Sequence, residues 1–283
     1  ENVVNQAATV RGSASSGEWE LGFDNSFAMT DNPLIETGVQ TQQTFNSTQL
    51  SANRPITPVL SVDLGVNQAL RWSNQFNDTF SWSALNGINY RLRPNLTVGA
   101  DVGFGYDLVE PGTDMTNERF LVSVSGILGD KLNYSFSGGF EVRQFLDTDA
   151  EMKVSPILNV ALNYVITEKT SFNVYGDRQV SPTYFDDQFS ESLAIGGGIS
   201  QRIFGRFFLS LAGGYRWSEF NSTLNPTDMV QSQNFAFATA SISSRFLRRG
   251  TASIYYSWNN NTSNNQFLDL ESNQFGLSLG YGW

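Results

Sequence analysis

From Leu60 onward, apolar and polar residues alternate along most of the chain. Leu60, Val62, Leu64, Val66, Leu70 and Trp72 oppose Ser61, Asp63, Gly65, Asn67 and Arg71. After Arg93-Pro-Asn95, the residues Leu96, Val98, Ala100, Val102, Phe104 and Tyr106 oppose Thr97, Gly99, Asp101, Gly103, Gly105 and Asp107. A period of two means extended strands with one apolar and one polar face. This pattern predicts strands at about Glu18–Met29 and Thr41–Asn53 and three more between Leu60 and Asp107. Others follow at about 117–128, 131–145, 151–165, 170–181, 190–203, 206–220, 231–246, 250–260 and 271–283, fourteen in all. The strand at 41–53 is mostly Gln, Thr, Ser and Asn, and residues 235–243 alternate poorly. Without those two the count is twelve. Residues 1–17 are small and polar and read as a flexible leader.

Three features say what the apolar face meets. Connections at 54–56, 93–95, 129–130, 166–169, 204–205 and 247–249 are short. They alternate with longer ones at 30–40, 73–77, 108–116, 146–150, 182–189, 221–230 and 261–270, the spacing of a membrane barrel with short periplasmic turns and long outer loops. The apolar register of the strands containing Leu64, Val98, Phe136, Leu158, Ile195, Leu211, Ile254 and Leu277 is read as free of Asp, Glu, Lys and Arg. A Lys or Arg facing lipid at mid-depth costs ~2–4 kcal/mol. The opposite register carries Asp63, Arg71, Arg91, Asp101, Glu141, Arg143, Lys153, Arg202 and Arg216, which become candidates to line a lumen. Trp72, Trp82, Trp217 and Trp258 fall near one end of the strands and Trp19 and Trp283 near the other, as two aromatic girdles would require. The last strand alternates Phe275, Leu277, Leu279, Tyr281 and Trp283 with small residues, and resembles the C-terminal insertion signal of outer-membrane barrels. The fold class expected is all-β: a single closed antiparallel transmembrane β-barrel over 18–283, most simply of 14 strands, alternatively 12. Residues 1–17 and both termini would be periplasmic, in the outer membrane of a Gram-negative bacterium.

Composition narrows the chemistry. The 283 residues include no cysteine and no histidine, and aromatics make up 13% of them. Disulfides, the usual zinc sites and Ser-His or Cys-His nucleophiles are excluded. A net charge of −10 argues against a nucleic-acid partner. There is no G-x-S-x-G and no phosphate loop. No enzymatic activity and no cofactor is expected, although a lumenal carboxylate pair is the one catalytic device the composition permits. Asp147, Asp149 and Glu151 alternate in a way calcium could use, but solvated loop acids account for them more simply.

The polar register is rich in small residues, including Gly99, Gly103, Gly105, Ala194, Gly196, Gly198, Ser210, Ala212 and Gly214, which leave room inside. A narrow water-filled pore is therefore expected over a filled barrel, with mixed-sign charges pairing along its wall. No segment is long enough for a separate plug domain. Pro156, inside a strand of a closed barrel, predicts a bulge near the rim.

Gly22-Phe-Asp-Asn25, Asp31-Asn-Pro33, the polar second strand, the repeated strand–turn–strand units and the aromatic end at Trp283 together resemble a family of bacterial beta-barrel porins of the second type. That resemblance implies transport, in some members alongside polysaccharide export, and assigns no site residue. Two functions stay open: a channel for small hydrophilic solutes or a glycan, and a structural or docking barrel that anchors a surface or secretion assembly. Either implies contact with lipid and lipopolysaccharide and with the barrel-assembly machinery during insertion. The second adds a protein partner in that assembly.

Overall fold

The computed structural model describes residues 5–31, 37, 41–146, 148–246 and 250–281. The chain forms one antiparallel sheet in which sequence neighbours are sheet neighbours throughout. The strands are β1 (Gln6–Ser16), β2 (Trp19–Thr30), β3 (Gln43–Thr57), β4 (Leu60–Ser73), β5 (Asp78–Arg93), β6 (Leu96–Glu110), β7 (Met115–Leu128) and β8 (Leu132–Phe145). There follow β9 (Lys153–Thr167), β10 (Thr170–Pro182), β11 (Gln188–Ile203), β12 (Phe207–Ser222), β13 (Met229–Phe246), β14 (Gly250–Ser263) and β15 (Leu270–Tyr281). Among the described residues one 3-10 turn, Gln266–Leu268, precedes the last strand.

The described residues form fifteen strands, not fourteen. The extra one is β1, from the segment expected to be a flexible leader, which pairs along its length with β2 from Gln6↔Met29 to Ser16↔Trp19. β1 thus begins at the long-loop end while β15 finishes at the short-turn end, Tyr281 opposite Gly250, so the two ends of the sheet do not lie together as expected. Its residues are small and have no apolar alternation, so period alone could not reveal it. The backbone ladder ties it to β2, with the exposed Arg11–Asp24 ion pair at 2.5 Å beside it. The turn expected at 54–56 lies at 58–59, because β3 continues through Pro55 with a register shift before Thr57.

Alternation assigns the faces. Val122 and Ile254 are each 65% exposed and Phe275 is 81% exposed, whereas Glu141 and Arg143 on the opposite register are buried. The apolar register is thus the outer surface of the sheet. Residues 235–243 obey the same rule: Phe237 pairs with Gly214 on the inward register, while Ala238 pairs with Trp258 on the outward one. The strand looks irregular only because its large residues point inward and its alanines outward. Pro156 needs no bulge on its β8 side, where it pairs in register with Phe140. On its other side the pairing with β10 has already ended at Leu158, so the missing N–H leaves no gap in a ladder.

Long and short connections alternate, and the buried residues gather at the long-loop end. Val109, Met115, Phe145, Val180 and Phe189 form the one apolar cluster found among the described residues. Buried polar residues such as Gln43, Asn77, Thr113, Thr183 and Thr223 surround it. The sheet coils so that the connection after β10 touches β3 and β4, far away in strand order: the Tyr184 hydroxyl donates to Gln43 Oε1 at 3.0 Å.

Candidate functional site: a closed mouth above a polar lumen

The β10–β11 hairpin defines the site. Up to Arg178 it belongs to the wall; beyond, its tip at 183–187 lies across the long-loop end. Arg71 of β4 donates from Nη2 to the Thr183 carbonyl at 2.6 Å and to Thr79 Oγ1 at 2.5 Å. The same guanidinium stands 3.8 Å from the centroid of the Tyr184 ring. Asn77 N–H donates to the Tyr184 carbonyl at 3.3 Å, and Phe76 meets the rings of Tyr184 and Phe185 edge-on. Thr113 Oγ1 donates to Asp187 Oδ1 at 2.6 Å, and Thr223 N–H to the Asp187 carbonyl at 2.8 Å. Segments after β4, β6 and β12 therefore converge on five residues.

The base of the hairpin is held differently. Arg143, 2% exposed, makes ion pairs with Glu141 at 2.8 Å and Asp107 at 3.2 Å, and donates to the Val180 carbonyl at 3.3 Å. Arg119 adds a second guanidinium to Glu141 at 2.7 Å. The apolar cluster packs beside this network. Buried polar atoms without a protein partner occur at both places, Arg71 Nε, Gln43 Nε2 and Gln188 Oε1 around the tip and Asn117 Oδ1 opposite Arg143 at the base. The apolar cluster lies at the base, whereas the tip is held by polar and ring contacts.

Below the mouth, a cavity of about 580 Å³ opens on the wall from β1 to β6, lined by Glu20, Gln49, Asn53, Asn67, Asp63 and Asp101. Asp63 accepts hydrogen bonds from Asn53 and Asn89 on the flanking strands. The opposite wall is more aromatic: the inward rings of Tyr175, Phe237 and Tyr255 lie over Gly196, Gly214 and Gly276, where a Cβ would collide with them.

The comparisons place this architecture. No family model matches the sequence, and no curated protein matches it. Among solved structures, the chain is similar to the FrpB iron transporter from Neisseria meningitidis, with a TM-score of 0.57 and 11% identity over 99% of this chain and 57% of that one. This chain thus spans a little over half the length of that transporter. It is also similar to OmpT, an outer membrane protein of Vibrio cholerae, as a loop-deletion mutant (TM-score 0.43, 12% identity, 99% of both chains). The siderophore receptor PirA from Pseudomonas aeruginosa aligns as well (TM-score 0.47, 11% identity, 100% of this chain and 71% of that one). The fold is that of an outer-membrane β-barrel.

Within this barrel the nine inward charges divide into distinct groups. Arg71, Glu141, Arg143 and Lys153 belong to the closed mouth, Lys153 through a bond to the Pro226 carbonyl at 3.3 Å. Asp63 and Asp101 face the cavity. Arg91 stands with Asn89 and Thr97 near the short-turn end, and Arg216 is exposed on the inward register beside Phe235. Arg202, at the short-turn end, folds onto its own turn, donating to the Gly205 carbonyl at 2.6 Å. Of the tryptophans, Trp72, Trp82, Trp217 and Trp258 lie on the outward register toward the long-loop end. Trp19 lies beside the 17–18 turn, 5.6 Å under the Arg54 guanidinium. Phe275, Leu277 and Leu279 are exposed outward, Tyr281 ends β15 opposite Gly250, and Trp283 lies outside the described residues, as does Asp147. Among the described residues no group of acids is arranged to hold a metal.

Sequence reasoning missed Tyr184, Asp187, Thr113 and Glu191. The last carried a signal, a charge on the apolar register of β11.

Proposed function

We propose that this protein is a channel of the outer membrane of a Gram-negative bacterium, held shut at its outer mouth by the tip of the β10–β11 hairpin. In this reading the long loops face outward and the short turns the periplasm. Lipid and lipopolysaccharide cover the apolar register between tryptophan girdles, and the barrel-assembly machinery inserts the chain. The observation that carries the proposal is a polar, roomy lumen beneath a five-residue tip held by polar and ring contacts and not by the apolar cluster. A packed plug would be built the other way round. Solutes would be small and hydrophilic or a glycan, and no catalysis is assigned. Arg71 holds the tip through a charge-assisted hydrogen bond, ~1.5–3 kcal/mol, and a cation–π contact, ~0.5–2 kcal/mol. Planar-bilayer recording should find the native barrel mostly closed and Arg71→Ala or Tyr184→Ala giving frequent ohmic steps. Variants that remain heat-modifiable barrels yet stay silent at every voltage would sink the channel reading.

A second reading, a docking barrel in a larger assembly, has its own observation. On the outward register the rung Asn25, Thr48 and Gln68 is polar, with Asn25 Nδ2 donating to Thr48 Oγ1 at 2.8 Å. Lipid offers such groups no hydrogen bonds, whereas a protein partner does. Purification of the chain alone from native membranes at every detergent strength would count against it.

A further inference from the structure

The ladder between β9 and β10 is incomplete. Pairing runs from Thr170↔Thr167 to Arg178↔Leu158 and stops. Toward the long-loop end, β9 stays paired with β8 as far as Lys153, and β10 with β11 as far as Pro182. The wall therefore splits into two lips that diverge. Side chains bridge the gap where backbone bonds are missing: Glu191 of β11 accepts from Ser155 at 3.1 Å and pairs with Lys153 at 3.4 Å on one lip and Arg178 at 3.0 Å on the other.

At the foot of the split lies a cavity of about 150 Å³ with two characters. Leu121, Ile157 and Leu158 give it apolar lining, and Arg119, Arg178, Glu141 and Asp177 give it charged lining. Leu121 and Ile157 flank Gly139 on the inward register, elsewhere mostly polar or small. The bridging acids are buried, Glu141 at 1% and Glu191 at 8% side-chain exposure, while Arg119 and Arg178 remain 36% and 35% exposed. A visitor thus meets two half-exposed guanidinium groups beside Asp177. Outside the split, Val154 and Met152 are exposed.

Irregular backbone at membrane depth is tolerated where it lines a cavity. With residues 183–187 across the axial mouth, the split is a break in the wall beside the upper lumen. We propose that the β9–β10 split is a lateral portal between lumen and bilayer that takes an anionic single-chain amphiphile, its head on Arg119 and Arg178 and its chain along Leu121, Ile157 and Leu158. The proposal rests on the membrane-barrel reading but not on ion flow.

The absence of cysteine makes one introduced thiol a clean reporter. Bimane on Gln179→Cys, beside the split, is compared with bimane on Asn67→Cys, on the β4 wall of the lumen, in nanodiscs of brominated phosphatidylcholine. Bromine should quench the label at 179 severalfold more strongly than that at 67. Nitroxide-tailed dodecanoate should quench 179 and spare 67, and Arg119→Gln with Arg178→Gln should raise the dodecanoate required by about tenfold or more, as expected for lost charge-assisted bonds. Equal bromine quenching at the two positions overturns the portal, and dodecanoate quenching that ignores the arginines overturns the assigned ligand. A barrel silent in planar bilayers leaves both results readable, so failure of the channel reading is distinguishable from failure of this one.

Discussion

Arg143→Met tests how the closed mouth is built. The side chain is 2% exposed and its guanidinium serves Glu141, Asp107 and the Val180 carbonyl. Removing one member of a buried ion pair costs about 3–5 kcal/mol, mostly because the partner is left charged and dry. Glu141 keeps Arg119 at 2.7 Å, so the damage falls on Asp107 and Val180 and the lower end, about 3 kcal/mol, applies. At ~1.4 kcal/mol per factor of ten, the docked hairpin base should lose about 100-fold in its equilibrium against the released form. Strands outside the mouth keep their ladders, so the barrel should still run as a folded species on unheated gels. Two readouts follow: faster proteolytic cleavage within 179–189 and a lower urea midpoint for loss of the folded band. The companion variant Arg143→Met/Glu141→Gln/Asp107→Asn removes the charges together and should recover much of the loss, because neutral buried groups no longer demand the missing partner. Unchanged protection of the hairpin in Arg143→Met would refute the claim that this network seats it.

Three further outcomes follow from the assignment of faces and contacts. Ile254→Arg, outward and 65% exposed, should cost about 2–4 kcal/mol in bilayer folding titrations, whereas Asn259→Arg, on the inward register of the same strand, should change the midpoint little. Gly139→Ala would drive a Cβ into the Phe120 carbonyl on β7 and should lower the folding yield sharply; Gly12→Ala, where nothing lies within 4 Å, should match the native protein. Glu191→Gln withdraws the charge that Arg178 and Lys153 share across the split, and should increase bromolipid quenching of the label at 179.

Much of this architecture is legible in the chain because strand period is a local property. Leu64 and Asp63, or Ile254 and Ser253, sort to opposite faces whatever their neighbours do. The alternation of short and long connections then orders the strands without any tertiary information. β1 was hidden because its residues Ala7, Thr9, Gly12, Ser13 and Ser15 have no apolar period, and its place depends on β2. Nor could the grouping of the inward charges be read. Arg143 and Arg202 look equivalent in sequence, yet one is buried among Glu141 and Asp107 and the other bends onto the Gly205 carbonyl.

The closed mouth shows where period-two reasoning ends. Period says which residues share a face, not what that face meets. Val180 falls on the register of Val174 and Gly176, which faces outward, yet it is only 4% exposed because β10 has left the wall and turned its lipid face into a core. Glu191, on the register of Leu193 and Ile195, would be an error in a lipid-facing strand. It is instead the acceptor that joins Ser155, Lys153 and Arg178. Pro156, unable to donate to a ladder, sits on the lip that β10 abandons. A register violation and a proline thus fall within one stretch of wall, each a weak sign alone. Their coincidence reports a strand that leaves its sheet, because departure removes the demand for an N–H donor and permits a charge on the formerly apolar face. The same two signs together elsewhere in a barrel sequence should mark a strand that ceases to be wall.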